Sequence, residues 1–195
     1  MTNVSPKRQA TTLDASTRCV QIRQARLELI QGDITHQDTD AIVNAANNSL
    51  LGGSGVDGAI HRAAGPELVA ECRTLGGCQT GDAKITKGYR LKARHVIHTV
   101  GPIYSSSPRD AESLASCYRR SLELASANHL HSVAFPSIST GAYGYPVEQA
   151  APVALQAVSE YLNTHADIEL VSFVLYDPHT YQAYAQALGQ LLSSA

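Results

Sequence analysis

Hydrophobic positions in this 195-residue chain fall into short runs separated by longer segments of mixed character. Several runs are almost continuously apolar, as is typical of strands that are buried on both faces of a sheet. The pattern predicts strands at residues 27–31, 41–44, 83–86, 95–100, 132–136 and 170–176.

The segments between these runs repeat their apolar residues at the three- and four-residue spacing of a helix. The clearest repeats occupy residues 114–125, 147–161 and 181–188. Strands that alternate with helices indicate a largely parallel sheet between two helical layers. We therefore predict an α/β fold, a three-layer α/β/α sandwich with a central mixed, largely parallel sheet. In such sheets ligands bind beyond the carboxyl ends of the strands, so the loops there are expected to carry the chemistry.

The length and charge of the chain narrow the possible functions. A chain of this length fits one domain. Residues 1–20 are polar and aperiodic, so we expect them to form a flexible leader, with residues 21–195 forming the domain. The 15 basic and 17 acidic residues provide no strongly basic face, which argues against general nucleic-acid binding. A small anion can still bind to backbone amides and helix N-termini, which do not contribute to the net charge.

The cysteines and the apolar runs bear on the compartment. Cys19, Cys72, Cys78 and Cys117 form no C-x-x-C pair and no metal-finger spacing, which is typical of reduced thiols in the cytosol. No apolar run approaches the roughly 20 residues of a membrane span, and the N-terminal segment lacks the apolar stretch of a signal peptide. We therefore expect a cytoplasmic monomer that does not associate with membranes.

Three loops that follow predicted strands are rich in Gly, Asn, Asp or Ser. The first is Gly32-Asp33-Ile34-Thr35. A carboxylate followed by a hydroxyl at this spacing is also typical of an Asx-turn or a helix cap. The spacing alone therefore leaves both a structural and a ligand-binding role open for Asp33.

The second loop, residues 44–65, is the longest of the three. It contains three Asn within residues 44–48 and four Gly within residues 52–58. Glycines let backbone N–H groups approach a phosphate, and the start of the following helix favours an anion. Asp57 and His61 lie four residues apart and share one face of that helix. Both residues are candidates for a functional role. Alternatively, Asp57 is a first-turn acid that complements the helix dipole, and His61 is a half-buried side chain with a structural role.

The same loop contains a G-x-G-x-x-G match at residues 53–58, the fingerprint of dinucleotide-binding enzymes. That fingerprint opens a helix directly after a strand and leads into a second strand. Here a loop intervenes after Asn44, and Gly65-Pro66 starts another helical stretch where the strand should follow. The context therefore argues against a Rossmann fold, and the Gly-Lys-Ser/Thr of a P-loop is absent.

The third loop, residues 137–146, precedes a strongly periodic helix. Its hydroxyls and two glycines can form a second anion site, although a βα loop with Pro146 near the first helical turn satisfies the same sequence. The G-x-S-x-G spacing of a nucleophile elbow is missing. From the residues alone, two glycine-containing anion loops and an acid near the sheet centre predict a phosphorylated nucleotide as the ligand.

Five motifs occur in order along the chain: GDIT at 32–35, NAAN at 44–47, GVDGAIH at 55–61, HTVGP at 98–102 and STGAYG at 139–144. Together they resemble the macrodomain family, and within it the MacroD-type ADP-ribosyl-ester hydrolases and the bacterial O-acetyl-ADP-ribose deacetylases. The resemblance covers roughly residues 26–188, which is most of the chain. It implies a macrodomain fold and a cleft that binds ADP-ribose.

The resemblance also assigns ligand-binding residues. Asp33 is expected to accept a hydrogen bond from the adenine amino group with the Ile34 backbone beside it, and Tyr176 to lie against the adenosine unless it is an ordinary strand-end tyrosine. Asn44 is also expected to contact the ligand. The remaining expected ligand contacts are Gly52, Gly53, Ser54, Gly55 and Val56 around one phosphate, and Ser139, Thr140, Gly141, Ala142 and Tyr143 around the other phosphate and the distal ribose.

Asn47 and Asp57 match the family's catalytic pair at the terminal ribose, and His61 is expected to support Asp57 rather than touch the substrate. The resemblance implies water attack on ribose esters, without metal or cofactor, in O-acetyl-ADP-ribose and in proteins mono-ADP-ribosylated on aspartate or glutamate. Either Asp57 is the base for this water, or a phosphate of the substrate is the base and Asp57 orients the ribose. A non-catalytic ADP-ribose-binding module and an ADP-ribose-1″-phosphatase remain alternatives, and the presence of both Asn47 and Asp57 favours the hydrolase.

One residue departs from the family pattern. Ser54 stands where close relatives carry glycine. Its hydroxyl either adds a phosphate contact or strains the loop, and it strains the loop only if this position needs a positive φ.

Overall fold

The computed structural model describes residues 18–193. In this part of the chain the strands are β1 (Arg18–Ile22), β2 (Ala25–Gln31), β3 (Ala41–Ala45), β4 (Ala83–Lys87), β5 (His95–Thr99), β6 (Ser132–Phe135) and β7 (Leu170–Leu175). They form one sheet in the order β1-β2-β7-β6-β3-β5-β4. The strands from β2 to β5 in this order pair in parallel, and the two edge strands pair antiparallel with their neighbours. The predicted mixed, largely parallel sheet is confirmed.

Helices cover both faces of this sheet. The helices are α1 (Gly55–Ala64), α2 (Pro66–Thr74), α3 (Pro108–Ala127), α4 (Val147–Thr164) and α5 (Pro178–Ser193), with a short 3-10 helix at Ile34–His36. Helices α1 and α2 pack together on one face, and α4 packs between α3 and α5 on the other. Among residues 18–193, no helix is both long and apolar enough to cross a bilayer.

The central strands are buried on both faces because their residues point alternately into two hydrophobic cores. Val43 and Ile97 belong to the core beneath α3, α4 and α5. Their neighbours Ile42 and Val96 belong to the core beneath α1 and α2. This double burial explains why the strands appear in the sequence as continuous apolar runs rather than as an alternating pattern.

Strand β1 is missing from the predicted strands, and the expected boundary of the leader needs correction because residues 18–20 belong to this strand. The strand is short and lies at the edge of the sheet, where only Val20 and Ile22 are buried. Two apolar positions among polar ones give too little periodicity to indicate a strand. Residues 1–17, the rest of the expected leader, lie outside the described residues.

The parallel arrangement fixes where the chemistry can be. Strands β2, β3, β6 and β7 run in the same direction, so their carboxyl ends meet at one edge of the sheet. The three loops that the sequence analysis identified follow β2, β3 and β6. They therefore converge, although residues 32 and 139 are separated by more than half of the chain.

Candidate active site

A cleft of about 680 Å³ lies at the carboxyl ends of these strands. Most of the residues that the sequence analysis assigns to a ligand site or to catalysis line its wall. They are Asp33, Ile34, Asn47, Gly53, Ser54, Gly55, Val56, Asp57, Ser139, Thr140, Gly141, Ala142, Tyr143 and Tyr176.

Three of the assigned residues do not line this cleft. Asn44 has no exposed surface, so the expected ligand contact needs correction: Asn44 contacts Asp57 instead. Gly52 and His61 line a second, shallower groove on the other side of the loop. His61 lies beside Asp57, with its Nε2 3.4 Å from Asp57 Oδ1, and its supporting role stays a prediction.

The start of α1 forms one side of the cleft. Ser54 is the N-cap residue, and its φ of −101° and ψ of −178° are ordinary extended backbone, so the serine introduces no strain. Gly55, the next residue, has the positive φ of 60° that this turn requires. Within the described chain, the Ser54 side chain makes no cap hydrogen bond, so its hydroxyl and the first N–H groups of α1 are available to an anion.

Asp57 is held from behind by a buried network. Asn44 Nδ2 donates to Asp57 Oδ1 at 2.7 Å and lies 3.1 Å from His98 Nδ1. Because an amide nitrogen can only donate, His98 Nδ1 must be the unprotonated acceptor, and His98 Nε2 donates to Thr86 Oγ1 at 2.9 Å. Burial, with a smaller contribution from the nearby His61, lowers the pKa of His98 to about 4 against the opposing effect of Asp57. His98 is therefore neutral at pH 7.

The same network decides whether the buried histidines suit a metal ion. One ligand atom each from His61, Cys72 and His98 lies within 4.8 Å of the others. However, His98 Nε2 carries a proton in the tautomer that Asn44 imposes, so it offers no lone pair to a metal. Burial also raises the pKa of the Cys72 thiol to about 11, which disfavours the thiolate that would bind one.

Asn47 reaches the cleft from the end of β3 and shapes the glycine loop. Its Nδ2 donates to the Gly52 carbonyl at 3.0 Å, and its Oδ1 accepts from the Ser49 hydroxyl at 2.6 Å. A Cβ atom on Gly53 would lie 2.9 Å from Asp57 Oδ2 and 3.5 Å from Asn47 Nδ2. The missing side chain at Gly53 therefore allows Asn47 and Asp57 to face the same small volume.

The third loop contributes a strained residue. Ser139 has a φ of 65°, in the left-handed region that serine rarely occupies. Its Oγ is buried and has no hydrogen-bond partner within residues 18–193. Gly101 packs directly against it, since any side chain at position 101 would collide with Ser139 Oγ. Gly101 also lines the cleft, a role that its place in the HTVGP motif did not reveal.

Asp33 has the structural role that its sequence left open, and it also lies where a ligand-binding role is possible. It is the N-cap of the 3-10 helix, and its Oδ1 accepts from the Thr35 N–H at 2.9 Å and the Thr35 hydroxyl at 2.7 Å. It also lines the cleft. Burial raises the pKa of the Asp33 carboxyl, but the two bonds from Thr35 outweigh it and hold this pKa below its usual value. Asp33 is therefore an ionised acceptor at this end of the cleft.

Tyr176 and α5 complete the wall near Asp33. Tyr176 directly follows β7 and is 81% exposed, and it lines the cleft. Asp177 accepts from the Thr180 N–H at 2.9 Å, and both residues line the cleft. Asp177, Thr180 and Arg62 were not predicted, because a helix-capping acid and a helical arginine carry no distinctive signal in the sequence.

Comparison with known proteins identifies this arrangement. The model of the Macro domain family matches residues 43–154, which is more than half of the chain. The chain belongs to the macro domain family. The predicted family and the macrodomain fold are thus confirmed.

Relatives of this macro domain include named enzymes. It is 54% identical over 171 residues to the O-acetyl-ADP-ribose deacetylase of Salmonella typhimurium, covering 85% of this chain and 96% of the relative. It is 51% identical over 190 residues to the ADP-ribose glycohydrolase MACROD2 of Xenopus laevis, covering 94% of this chain and 46% of that longer protein. The Oceanobacillus iheyensis macrodomain, solved with ADP, superposes with a TM-score of 0.89 at 45% identity, covering 92% of this chain and 98% of the other.

Proposed function

We propose that this macro domain binds ADP-ribose in the cleft and hydrolyses esters at its terminal ribose. The substrate classes are O-acetyl-ADP-ribose and proteins mono-ADP-ribosylated on aspartate or glutamate, and the reaction needs no metal. The names of the Salmonella and Xenopus relatives support a hydrolase acting on ADP-ribose derivatives. The observation that carries the proposal is the pairing of Asn47 and Asp57 around Gly53, between two loops that can bind phosphates.

The ligand fits the cleft in one direction. Asp33 and the exposed ring of Tyr176 suit an adenine base, because an ionised carboxylate accepts from its amino group and an aromatic ring covers its face. The N-terminus of α1 and the Ser139 loop then face the diphosphate from opposite sides. This orientation brings the terminal ribose to Asn47 and Asp57.

The network behind Asp57 defines how the pair acts. Oδ1 is occupied by Asn44, so Oδ2, the oxygen nearest to Gly53, is the one that faces the ribose and a water molecule. In the proposed step this oxygen accepts a proton from the water that attacks the acyl carbon of the ester. The bond between the acyl carbon and the ribose oxygen then breaks, the ribose oxygen takes this proton from Asp57 and leaves as a hydroxyl, and the carboxylic acid is released. Asn47 orients the ribose with the second hydrogen of its amide.

The test uses a protein that carries radiolabelled mono-ADP-ribose on glutamate, with O-acetyl-ADP-ribose as the small substrate. The expected result is release of label and of acetate by the wild-type protein, with the rate unchanged after treatment with EDTA. Loss of activity in EDTA would show that a metal takes part. Faster release of phosphate from ADP-ribose-1″-phosphate than of acetate would favour a phosphatase, and binding without turnover of any ester would favour a non-catalytic module.

A further inference from the structure

A second cavity, of about 480 Å³, lies on the far side of the glycine loop. It is a shallow groove along α1, lined among others by Leu51, Gly52, His61, Arg62 and Arg90, and we call it the α1 groove. It shares Gly53 and Arg62 with the main cleft. The two cavities are therefore neighbours, although they open on different sides of the loop.

The two cavities meet at Gly53 and Arg62. Gly53 lines the α1 groove and is also close to Asp57, since a Cβ atom on Gly53 would lie 2.9 Å from Asp57 Oδ2. On the other side, a Cβ on Gly58 would lie 2.5 Å from the Gly53 carbonyl oxygen, so the loop rests directly on α1. A group bonded to a ribose at Asp57 would consequently be next to the entrance of the groove.

The charges along the α1 groove favour an acidic occupant. Arg62 is exposed and has no carboxylate partner in the part of the chain that the structure describes. Arg90 is 67% exposed, and among residues 18–193 its one acidic partner is Glu67 at 3.7 Å, which is itself half exposed. Such a long, exposed pair contributes little and leaves the guanidinium available to a better partner.

No acidic residue of the described chain lines the α1 groove, and Glu71, further along α2, is engaged elsewhere. Glu71 accepts from the Tyr89 hydroxyl at 2.6 Å and from the Lys87 N–H at 3.1 Å. The rim contributes an apolar contact through Leu51, which is 48% exposed. Two guanidinium groups beside an apolar rim suit a peptide with acidic side chains better than an uncharged one.

We propose that the α1 groove binds the polypeptide segment next to the ADP-ribosylated aspartate or glutamate, and that it prefers segments with further acidic residues. This inference rests on the proposed function, because it assumes that the ADP-ribosyl ester lies at Asp57. A protein substrate then contacts two surfaces of the enzyme, and O-acetyl-ADP-ribose contacts only the cleft.

The test compares binding of a fluorescent acidic peptide, joined to ADP-ribose through a hydrolysis-resistant amide, with binding of the same conjugate in which glutamines replace its other acidic residues. Wild-type protein should bind the acidic conjugate about fivefold more tightly, and this difference should shrink at high salt. Arg90→Glu should abolish the difference. The matched control is Arg119→Glu, at an exposed position of α3 on the opposite face of the sheet. This variant should retain the difference in affinity.

A second readout uses turnover. Arg90→Glu should lower kcat/KM about fivefold for an acidic peptide ADP-ribosylated on glutamate and leave kcat/KM for O-acetyl-ADP-ribose unchanged. Equal binding of the two conjugates, or equal behaviour of the Arg90 and Arg119 variants, would overturn the groove while leaving the proposed function intact. A failure of wild-type protein to bind free ADP-ribose would overturn both.

Discussion

Asn44 Nδ2 donates a 2.7 Å hydrogen bond to Asp57 Oδ1 at a site where both side chains are buried. One amide thus links the last part of β3 to the first turn of α1. The contact decides which oxygen of Asp57 faces the cleft, and on the proposed function it gives Asn44 an effect on catalysis without any contact with a ligand.

Asn44→Ala should therefore lower both stability and ester hydrolysis. Removing a hydrogen bond to a charged group costs about 1.5 to 3 kcal/mol, and it frees Asp57 to rotate. Chemical denaturation and kcat measure the two effects. Asn128→Ala, which removes a bond from an exposed amide to the Leu124 carbonyl at the end of α3, should change stability by less than about 1 kcal/mol and leave kcat unaltered. An Asn44 variant with wild-type kcat would show that Asp57 needs no fixed orientation.

Asp57→Ala should reduce hydrolysis of O-acetyl-ADP-ribose by roughly 10² to 10³ while the protein remains folded, because a positioned base or donor at a reacting centre contributes this much. Asn47→Ala should act in the same direction. A merely structural acid in the first turn of a helix contributes about 1 kcal/mol of stability and nothing to rate. Glu148→Ala, which removes the exposed first-turn acid of α4, is the matched control. If the Asp57 variant had the wild-type kcat but a lower Tm, Asp57 would have only this structural role.

Asp33→Ala should weaken ADP-ribose binding by about 1.5 to 3 kcal/mol, which is the contribution of a charged acceptor. It should leave the affinity for ribose-5-phosphate, which has no adenine, nearly unchanged. Because Asp33 also caps the 3-10 helix, some loss of stability is expected with either ligand. Isothermal titration calorimetry with both ligands separates adenine binding from helix capping. Equal losses of affinity for the two ligands would show that Asp33 only stabilises the turn.

The buried neutral His98 should make stability depend on pH. Its pKa is about 4 in the folded protein and about 6.5 when unfolded, so the unfolded chain binds the extra proton between these values. Stability should therefore fall as the pH is lowered from about 6.5 to 4, by roughly 1.4 kcal/mol per pH unit in the middle of this window. The pKa of Asp40 is about 2, because hydrogen bonds from Arg94, His131 and Ser132 outweigh the effect of its burial. The contribution of Asp40 to stability is therefore lost only below this pH window.

His98→Gln isolates this contribution, because glutamine can still accept from Asn44 but does not titrate. Urea unfolding at pH 7, 6 and 5 should show a smaller loss of stability for the variant than for the wild-type protein. Parallel curves for the two proteins would mean that His98 does not cause the acid sensitivity.

Gly53→Ala should lower kcat, because the new methyl group would lie 2.9 Å from Asp57 Oδ2 and force that carboxylate or the loop to move. Gly189→Ala in α5 is the control. A Cβ there meets no atom of the described residues within 4 Å, and alanine stabilises a helix by up to about 1 kcal/mol relative to glycine. Full activity in the Gly53 variant would show that the space beside Asp57 is larger than the structure indicates.

The elements that the sequence predicted are those with a strong local signal. The runs that became β3 and β7 are buried on both faces, and α4 repeats its apolar face over many residues, so each was visible in the chain. The edge strand β1 has too few buried positions to be seen. Within the site, the sequence identified the glycine loop and Asp57.

Contacts between distant segments could not be read in the same way. The orientation of Asn44 depends on His98, which lies 54 positions away, and the packing of Gly101 against Ser139 joins two loops that only the sheet order brings together. The burial of Asn44 follows from α1 folding back over β3, and no local pattern at position 44 reports it.

Ser139 has a further consequence for selectivity. Its left-handed backbone costs about 1 to 3 kcal/mol, and its Oγ is buried against Gly101 without a partner among the described residues. On the proposed function, a ligand that reaches this loop with a phosphate or ribose oxygen gains contacts with it, whereas a fragment such as adenosine does not reach it. The cleft would then favour a complete ADP-ribosyl group over the shorter adenine nucleosides without any steric gate.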